Sequence, residues 1–99
     1  MSTEYLIGVD GGGTKTKLLL EDTNGKPLAT ATTGPSNITR SIDTALCSIQ
    51  EGIQLLSKKS NLQLNNPQIR LGLGLAGAEN KQIKMQFLAR VPQYIPGTK

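Results

Sequence analysis

The segment Tyr5–Leu20, YLIGVDGGGTKTKLLL, constrains the fold of this chain more than any other part of the sequence. Its first apolar run is typical of a strand that is buried on both faces, and a second apolar run follows after a short polar reversal. Two such runs separated by a Gly-rich turn predict a β-hairpin. Gly11–Gly13 lack a Cβ, so this turn allows positive φ and a close approach of backbone N–H groups to a ligand.

The turn of this hairpin carries the groups of an anion site. Successive backbone N–H donors in a Gly-rich turn form a concave site that binds phosphate. Thr14 and Thr16 add hydroxyl groups, and Lys15 adds a positive charge. Asp10, at the end of the first strand, is a hard oxygen ligand of the kind that a hydrated magnesium ion uses. The stretch therefore predicts half of a nucleotide site.

A tight Gly-rich turn without a ligand is the structural alternative for Gly11–Gly13. The pair Asn24-Gly25 is the strongest short hairpin signal, and it shows that this chain can turn with a single glycine. Three consecutive glycines lose much backbone entropy on folding, which favours the phosphate interpretation.

A second Gly-rich stretch, Gly72–Gly77, satisfies the dinucleotide pattern G-x-G-x-x-G. That pattern requires a preceding strand and an acidic residue about twenty residues later. No acidic residue follows Glu79, and the leucines of this stretch alternate as they do within a strand. We interpret it as a strand whose glycines permit close approach of a neighbouring helix or ligand.

The periodicity of the chain predicts the element order β-β-β-α-β-α and an α/β fold. A three-stranded meander occupies residues 5–33, a helix spans about 37–60, a strand about 69–77 and a second helix about 80–91. Ser36-Asn37 is a possible cap of the first helix, and Asn80 of the second. Because the first helix is a crossover, the fourth strand can lie parallel within a mixed sheet.

Composition narrows the functional class. The net charge of +4 comes from scattered residues and not from a basic run, and only three residues are aromatic, so no nucleic-acid partner is expected. Histidine is absent, which excludes histidine triads and histidine-ligated zinc. Cys47 is the single cysteine and is expected to be a partly buried helix residue. No apolar run reaches the length of a membrane span, so we predict a cytoplasmic protein with no membrane partner.

The stretch Gly8–Lys17, GVDGGGTKTK, resembles the first phosphate motif of the superfamily of sugar kinases, heat-shock chaperones and actin. It is most similar to the N-acetylglucosamine kinases and to the related ATPases that activate benzoyl-CoA reductase and 2-hydroxyacyl-CoA dehydratase. The likeness extends through Gly34-Pro35-Ser36-Asn37 and the strand ending in Ala76-Gly77-Ala78. It implies a ribonuclease H-like mixed sheet and the N-terminal part of an actin-like ATPase lobe.

The resemblance also implies roles for individual residues. Asp10 would hold Mg²⁺ through water, and Asn37, Ala76 and Gly77 would line the sugar pocket. A serine is common in the family where this chain has Ala76. The residues assigned to ATP are Gly11, Gly12, Gly13, Thr14, Lys15 and Thr16. For Asn37, a plain helix cap is the alternative.

The function implied by the resemblance is ATP-dependent phosphorylation of an amino sugar, N-acetylglucosamine first and glucosamine second, in a homodimeric parent protein. The family's catalytic aspartate is expected beyond Lys99, so these 99 residues are expected to be inactive alone. Two alternatives stay open: an activator-type ATPase, which requires several cysteines for its cluster, and a sugar sensor without turnover.

Overall fold

The computed structural model describes residues 5–62, 69–75, 77 and 79–94. The order is β1 (Tyr5–Gly11), β2 (Thr16–Asp22), β3 (Pro27–Thr33), α1 (Ile42–Ser60), β4 (Ile69–Leu75) and α2 (Lys81–Tyr94). This order and the mixed α/β class confirm the predicted β-β-β-α-β-α arrangement. Within the described residues, no helix combines the length and apolar character that a membrane crossing requires.

The four strands form one sheet in the order β3-β2-β1-β4. β1 and β2 are antiparallel, and Gly11 lies opposite Thr16 where the hairpin ends. β2 and β3 are also antiparallel, which completes the meander. β4 lies parallel to β1, as the crossover predicts, with Gly11 beside Leu75. The same ends of β1 and β4 therefore meet at the Gly-rich turn.

One face of the sheet is covered by α1, and α2 packs against α1. The contact is close at Gly52, where a Cβ would lie 2.3 Å from Leu18 Cδ1. The core buried on this side includes Ile7, Val9, Leu18, Leu20, Ala31, Leu46, Ile49, Phe87 and Val91. The strand alternation places Leu6, Gly8 and Asp10 on the opposite face, and Leu6 is 43% exposed there.

Helix α1 begins at Ile42, five residues after the start predicted from the apolar spacing. Ile38 is buried and fits the helical stripe, but it lies in a separate turn. Ser41 is the N-cap: its backbone is extended, and its hydroxyl accepts a hydrogen bond from the Thr44 N–H at 3.1 Å. Hydroxyl capping of this kind ends the preceding turn and starts a new helix.

The later boundaries also differ from the predicted ones. β4 ends at Leu75 and not at 77, because Gly77 has φ +92°, which is incompatible with a strand. α2 begins at Lys81 after Asn80, whose side chain accepts from the Ile83 N–H at 3.2 Å as predicted for a cap. Pro92 lies inside α2 and does not end it. A proline in the last turn removes only one helical hydrogen bond, so the helix continues for two residues.

Candidate nucleotide and sugar site

The tip of the hairpin, residues 12–15, presents a row of free backbone donors. The Gly12 N–H donates to the Lys15 carbonyl at 2.9 Å, which closes the turn. The N–H groups of Gly13, Thr14 and Lys15 donate to no acceptor in the described part of the chain, and these three residues are exposed. Successive free N–H groups are the donors of an anion-binding concavity, and Lys15 adds charge beside them.

The glycines of this turn do not adopt positive φ. Among the described residues, positive φ occurs at Gly25, Gly77 and Asn61, and not at Gly11–Gly13. A Cβ on Gly13 would meet nothing within 4 Å, and one on Gly12 would lie 3.8 Å from the Lys15 carbonyl. The missing side chains therefore leave the tip open to an approaching ligand.

Gly11 and Thr16, both predicted to contact ATP, lie inside the protein. Gly11 is buried, and a Cβ there would lie 1.8 Å from Ser36 Oγ and 2.7 Å from Leu75 Cδ2. Thr16 is fully buried, and its hydroxyl lies 2.7 Å from the Gly34 carbonyl and 2.6 Å from Ser36 Oγ. Since these groups are engaged within the fold, we assign them a packing role beneath the tip.

Ser36 joins the hairpin tip to the loop after β3. Its N–H donates to the Gly12 carbonyl at 3.0 Å, and its hydroxyl pairs with Thr16. Ser36 is fully buried. We call the hydrogen bonds from Ser36 to Gly12 and Thr16 the Ser36 link. It places Asn37, the next residue, directly beside the predicted phosphate loop.

Asn37 organises a single turn before α1. Its Oδ1 accepts from the Thr39 N–H at 3.0 Å and from the Thr39 hydroxyl at 2.6 Å. Its carbonyl accepts from the N–H groups of Arg40 and Ser41. Asn37 therefore caps this local turn and not α1, and its Nδ2 makes no hydrogen bond within the described chain.

Gly77 packs against this turn. A Cβ on Gly77 would lie 2.9 Å from the Thr39 backbone N and 3.0 Å from Asn37 Oδ1. Gly77 is buried and has φ +92°, so both its conformation and its contacts require glycine. The structure thus brings together Asn37 and Gly77, the two described residues that were predicted to line the sugar pocket. Ala76, the third, lies outside the described residues.

Asp10 is exposed at the end of β1, on the face of the sheet opposite α1. Lys17 lies directly across from it on β2. No cluster of three or more acidic, cysteine or histidine residues occurs in the described chain. A divalent ion at Asp10 would therefore complete its shell with water and phosphate oxygens, which is the usual arrangement for Mg²⁺. The chemistry of this donor fits the predicted metal.

Arg40 is a candidate site residue that sequence reasoning missed. It lines a cavity of about 190 Å³ with Gly13, Pro35, Asn37, Ser41 and Thr44. Its proximity to the hairpin tip depends on the Ser36 link, a tertiary contact that the stretch Gly34-Pro35-Ser36-Asn37 does not specify by itself. The only available signal was its position three residues after Asn37.

Cys47 differs from its predicted environment. It is exposed on α1 and not partly buried. It lies on the side of the helix opposite the buried stripe, since its neighbours Leu46 and Ser48 are both buried.

The family profile described as BadF/BadG/BcrA/BcrD ATPase matches residues 7–94. The glucosamine kinase of Vibrio cholerae is 32% identical over 85 residues, which are 85% of this chain and 29% of that kinase. The N-acetyl-D-glucosamine kinase of Dictyostelium discoideum is 37% identical over 93 residues, covering 86% of this chain and 29% of that kinase. The chain thus spans under a third of the length of these relatives.

Among solved structures, a candidate N-acetylglucosamine kinase from Chromobacterium violaceum superposes with a TM-score of 0.81 at 33% identity. The match covers 88% of this chain and 31% of the Chromobacterium chain. A reductive activator for a corrinoid, iron–sulfur protein matches with a TM-score of 0.63 at 20% identity, which supports the shared fold alone.

Proposed function

Because the chain belongs to the BadF/BadG/BcrA/BcrD ATPase family, we propose that it supplies the phosphate-binding and part of the sugar-binding surface of an ATP-dependent amino-sugar kinase. The family is one of ATPases, so ATP is the expected nucleotide. The proposed reaction transfers the γ-phosphoryl group to N-acetylglucosamine, giving its 6-phosphate. Glucosamine is the second candidate substrate, since one relative is a glucosamine kinase.

The observation that carries this proposal is the direct backbone bond between the two loops. The Ser36 N–H donates to the Gly12 carbonyl at 3.0 Å, so the free donors of the hairpin tip lie next to Asn37. A kinase requires its phosphoryl donor and its acceptor side by side, because phosphoryl transfer depends mainly on positioning and charge stabilisation. A simple nucleotide-binding loop has no need of this second loop.

Different residues have the proposed roles of binding phosphate, Mg²⁺ and the sugar. The N–H groups of Gly13, Thr14 and Lys15 would bind phosphate oxygens, with the Lys15 ammonium neutralising charge. Asp10 would hold Mg²⁺ through water, and that ion would offset the charge of the phosphates. Asn37 would donate from its Nδ2 to a sugar oxygen, because its Oδ1 is already bonded to Thr39.

A general base for the sugar hydroxyl is not assigned within the described residues. Asp22 accepts hydrogen bonds from the turn of the β2–β3 hairpin, and Asp43 is bonded to Arg90. We therefore expect the 99-residue chain alone to be inactive. Homodimer formation by a longer parent protein also stays a prediction.

The test is a coupled assay for sugar-dependent ADP production by the natural protein that carries these 99 residues within a chain of the relatives' length. Asp10→Ala should lower kcat roughly 10- to 100-fold, as the loss of an outer ligand of a metal site does. Asn37→Ala should raise the sugar KM roughly 2- to 12-fold, the equivalent of one hydrogen bond. Glu51→Ala, which removes an exposed carboxylate on α1, is the control and should change neither.

Four outcomes would contradict parts of the proposal. Sugar binding without ADP production would favour the sensor alternative. ADP production that requires an iron–sulfur partner and no sugar would favour the activator ATPases. Sugar-dependent ADP production by the isolated 99 residues would refute the expectation that they are inactive alone. Unchanged kinetics in Asp10→Ala and Asn37→Ala would refute the site assignment.

A further inference from the structure

We infer that Arg40 is a specificity residue that favours an uncharged, N-acylated amino sugar over a free, protonated amine. This inference rests on the proposed function, since it concerns the sugar side of that site. Two relatives of the chain act on the two kinds of sugar, so the choice between them is a property that the lining of the sugar cavity can determine.

The cavity in question connects the hairpin tip with the beginning of α1. It has a volume of about 190 Å³ and no carboxylate among its lining residues. The nearest carboxylate along α1, Asp43, is bonded to the Arg90 guanidinium of α2. Asp10 lies on the face of the sheet opposite α1. Within the described residues, the formal charge at the cavity is therefore positive.

The orientation of the Asn37 amide is fixed by its contacts. The Thr39 backbone N–H lies 3.0 Å from Oδ1, and a backbone N–H can only donate a hydrogen bond. The oxygen of the amide must therefore face Thr39, which leaves Nδ2 with two hydrogens for a ligand. Asn37 presents donors to the cavity and no acceptor.

Arg40 adds donors and a full positive charge to the same cavity. Its side chain is exposed and makes no hydrogen bond or ion pair with the described residues. A guanidinium has five N–H donors and no acceptor, and it stays charged at any physiological pH. The cavity therefore offers donors from both Asn37 and Arg40.

These groups distinguish the two sugars. The ammonium group of protonated glucosamine has only donors and a positive charge, so it meets like charge, and the lining offers it only neutral acceptors such as the Ser41 and Thr44 hydroxyls. The acetamido group of N-acetylglucosamine is neutral, and its carbonyl oxygen accepts hydrogen bonds. Unfavourable groups placed against the wrong ligand give selectivity without tighter binding of the right one. If the Arg40 guanidinium and the sugar ammonium are taken to lie about 7 Å apart near the protein surface, their repulsion corresponds to roughly 3- to 50-fold discrimination.

The test compares kcat/KM for N-acetylglucosamine and glucosamine in the active, full-length protein. Arg40→Gln should raise kcat/KM for glucosamine roughly 3- to 50-fold, while Arg40→Lys keeps the charge and should leave it near the original value. Lys84→Gln removes an exposed charge on α2, away from the cavity, and serves as the matched control. It should leave both sugars unaffected.

The inference is overturned if Arg40→Gln leaves kcat/KM for glucosamine unchanged, or if Lys84→Gln raises it equally. A changed ratio that comes only from slower reaction of N-acetylglucosamine would also overturn it, because repulsion predicts a gain with the amine. Absence of turnover with both sugars in the unsubstituted protein would refute the proposed function itself. Turnover with an unaltered preference in Arg40→Gln would refute the role of Arg40 alone.

Discussion

Replacing Gly11 by alanine should destabilise the domain severely, although the change adds only one methyl group. The new Cβ would lie 1.8 Å from Ser36 Oγ, 2.7 Å from Leu75 Cδ2 and 3.0 Å from Ser36 Cβ. The end of the Leu75 side chain can rotate away. Ser36 cannot withdraw easily, because its N–H is bonded to Gly12 and its hydroxyl pairs with Thr16.

The magnitude of this effect follows from three contributions. Overpacking of a filled core costs about 1–3 kcal/mol. Displacing the Ser36 hydroxyl leaves a buried polar group without its partner, which costs about 1–3 kcal/mol more. Alanine also reduces the entropy of the unfolded chain, which offsets about 0.4–1 kcal/mol of this loss. The free energy of unfolding should therefore fall by roughly 1–6 kcal/mol, and Tm by at least about 4 °C in a domain of this size.

Urea and thermal unfolding of the 99-residue chain measure this loss, and Gly8→Ala is the matched control. Gly8 lies in the same strand, and a Cβ there would meet nothing within 4 Å. Its substitution should be neutral or should stabilise the chain by up to about 1 kcal/mol. In the double variant Gly11→Ala/Ser36→Gly the overlapping atoms of Ser36 are gone, so the two effects should be less than additive by at least about 1 kcal/mol. Strict additivity, or equal stability of the Gly11 and Gly8 variants, would refute the reasoning.

Two other substitutions test the turn that carries Asn37. Gly77→Ala should cost about 1–2 kcal/mol for positive φ and about 1–3 kcal/mol for the clash with Thr39. Gly25→Ala should cost only the first amount, because Gly25 has φ +80° and the nearest atom to a Cβ there would be Glu21 Oε2 at 3.9 Å. Equal losses in urea unfolding would contradict the close packing of Gly77. Ser41→Ala should remove the cap of α1 and lower the free energy of unfolding by about 1 kcal/mol, with increased hydrogen exchange at the Thr44 amide; an unchanged exchange rate there would show that the cap is not Ser41.

The sheet was predictable because its signals are local. The Gly-rich reversal, Asn24-Gly25 and the apolar runs each specify a hairpin without reference to the rest of the chain, and the crossover rule then places β4 parallel to β1. The family followed from the motif Gly8–Lys17. These features depend on residues that are close in sequence.

The start of α1 could not be predicted from periodicity. Ile38 continues the apolar stripe of the helix, yet it is buried from a separate turn. Which of several polar residues acts as the cap depends on backbone geometry at Asn37 and Ser41, and both have side chains that can cap. The apolar pattern alone predicted the earlier residue, Asn37, as the cap.

The roles of Gly11 and Thr16 also could not be predicted from the sequence. A glycine or threonine in a phosphate motif can face the ligand or the core, and only the register of β1 against β2 decides which. That register turns Thr16 inward to Ser36, over a sequence separation of 20 residues. Contacts of this kind arise from tertiary packing and leave no local pattern.

The Ser36 link determines which parts of the site can move independently. Backbone and buried hydroxyl hydrogen bonds tie the hairpin tip to the Asn37 turn, and Gly77 packs against that turn without a gap for a side chain. We expect these three segments to behave as one rigid body on the timescale of turnover, with correlated rather than separate fluctuations. The spacing between the phosphate donors and Asn37 would then be the same with and without ligands. In the proposed kinase, any motion that brings the reacting groups together would then occur elsewhere, in the bound molecules or in the surface that faces this one.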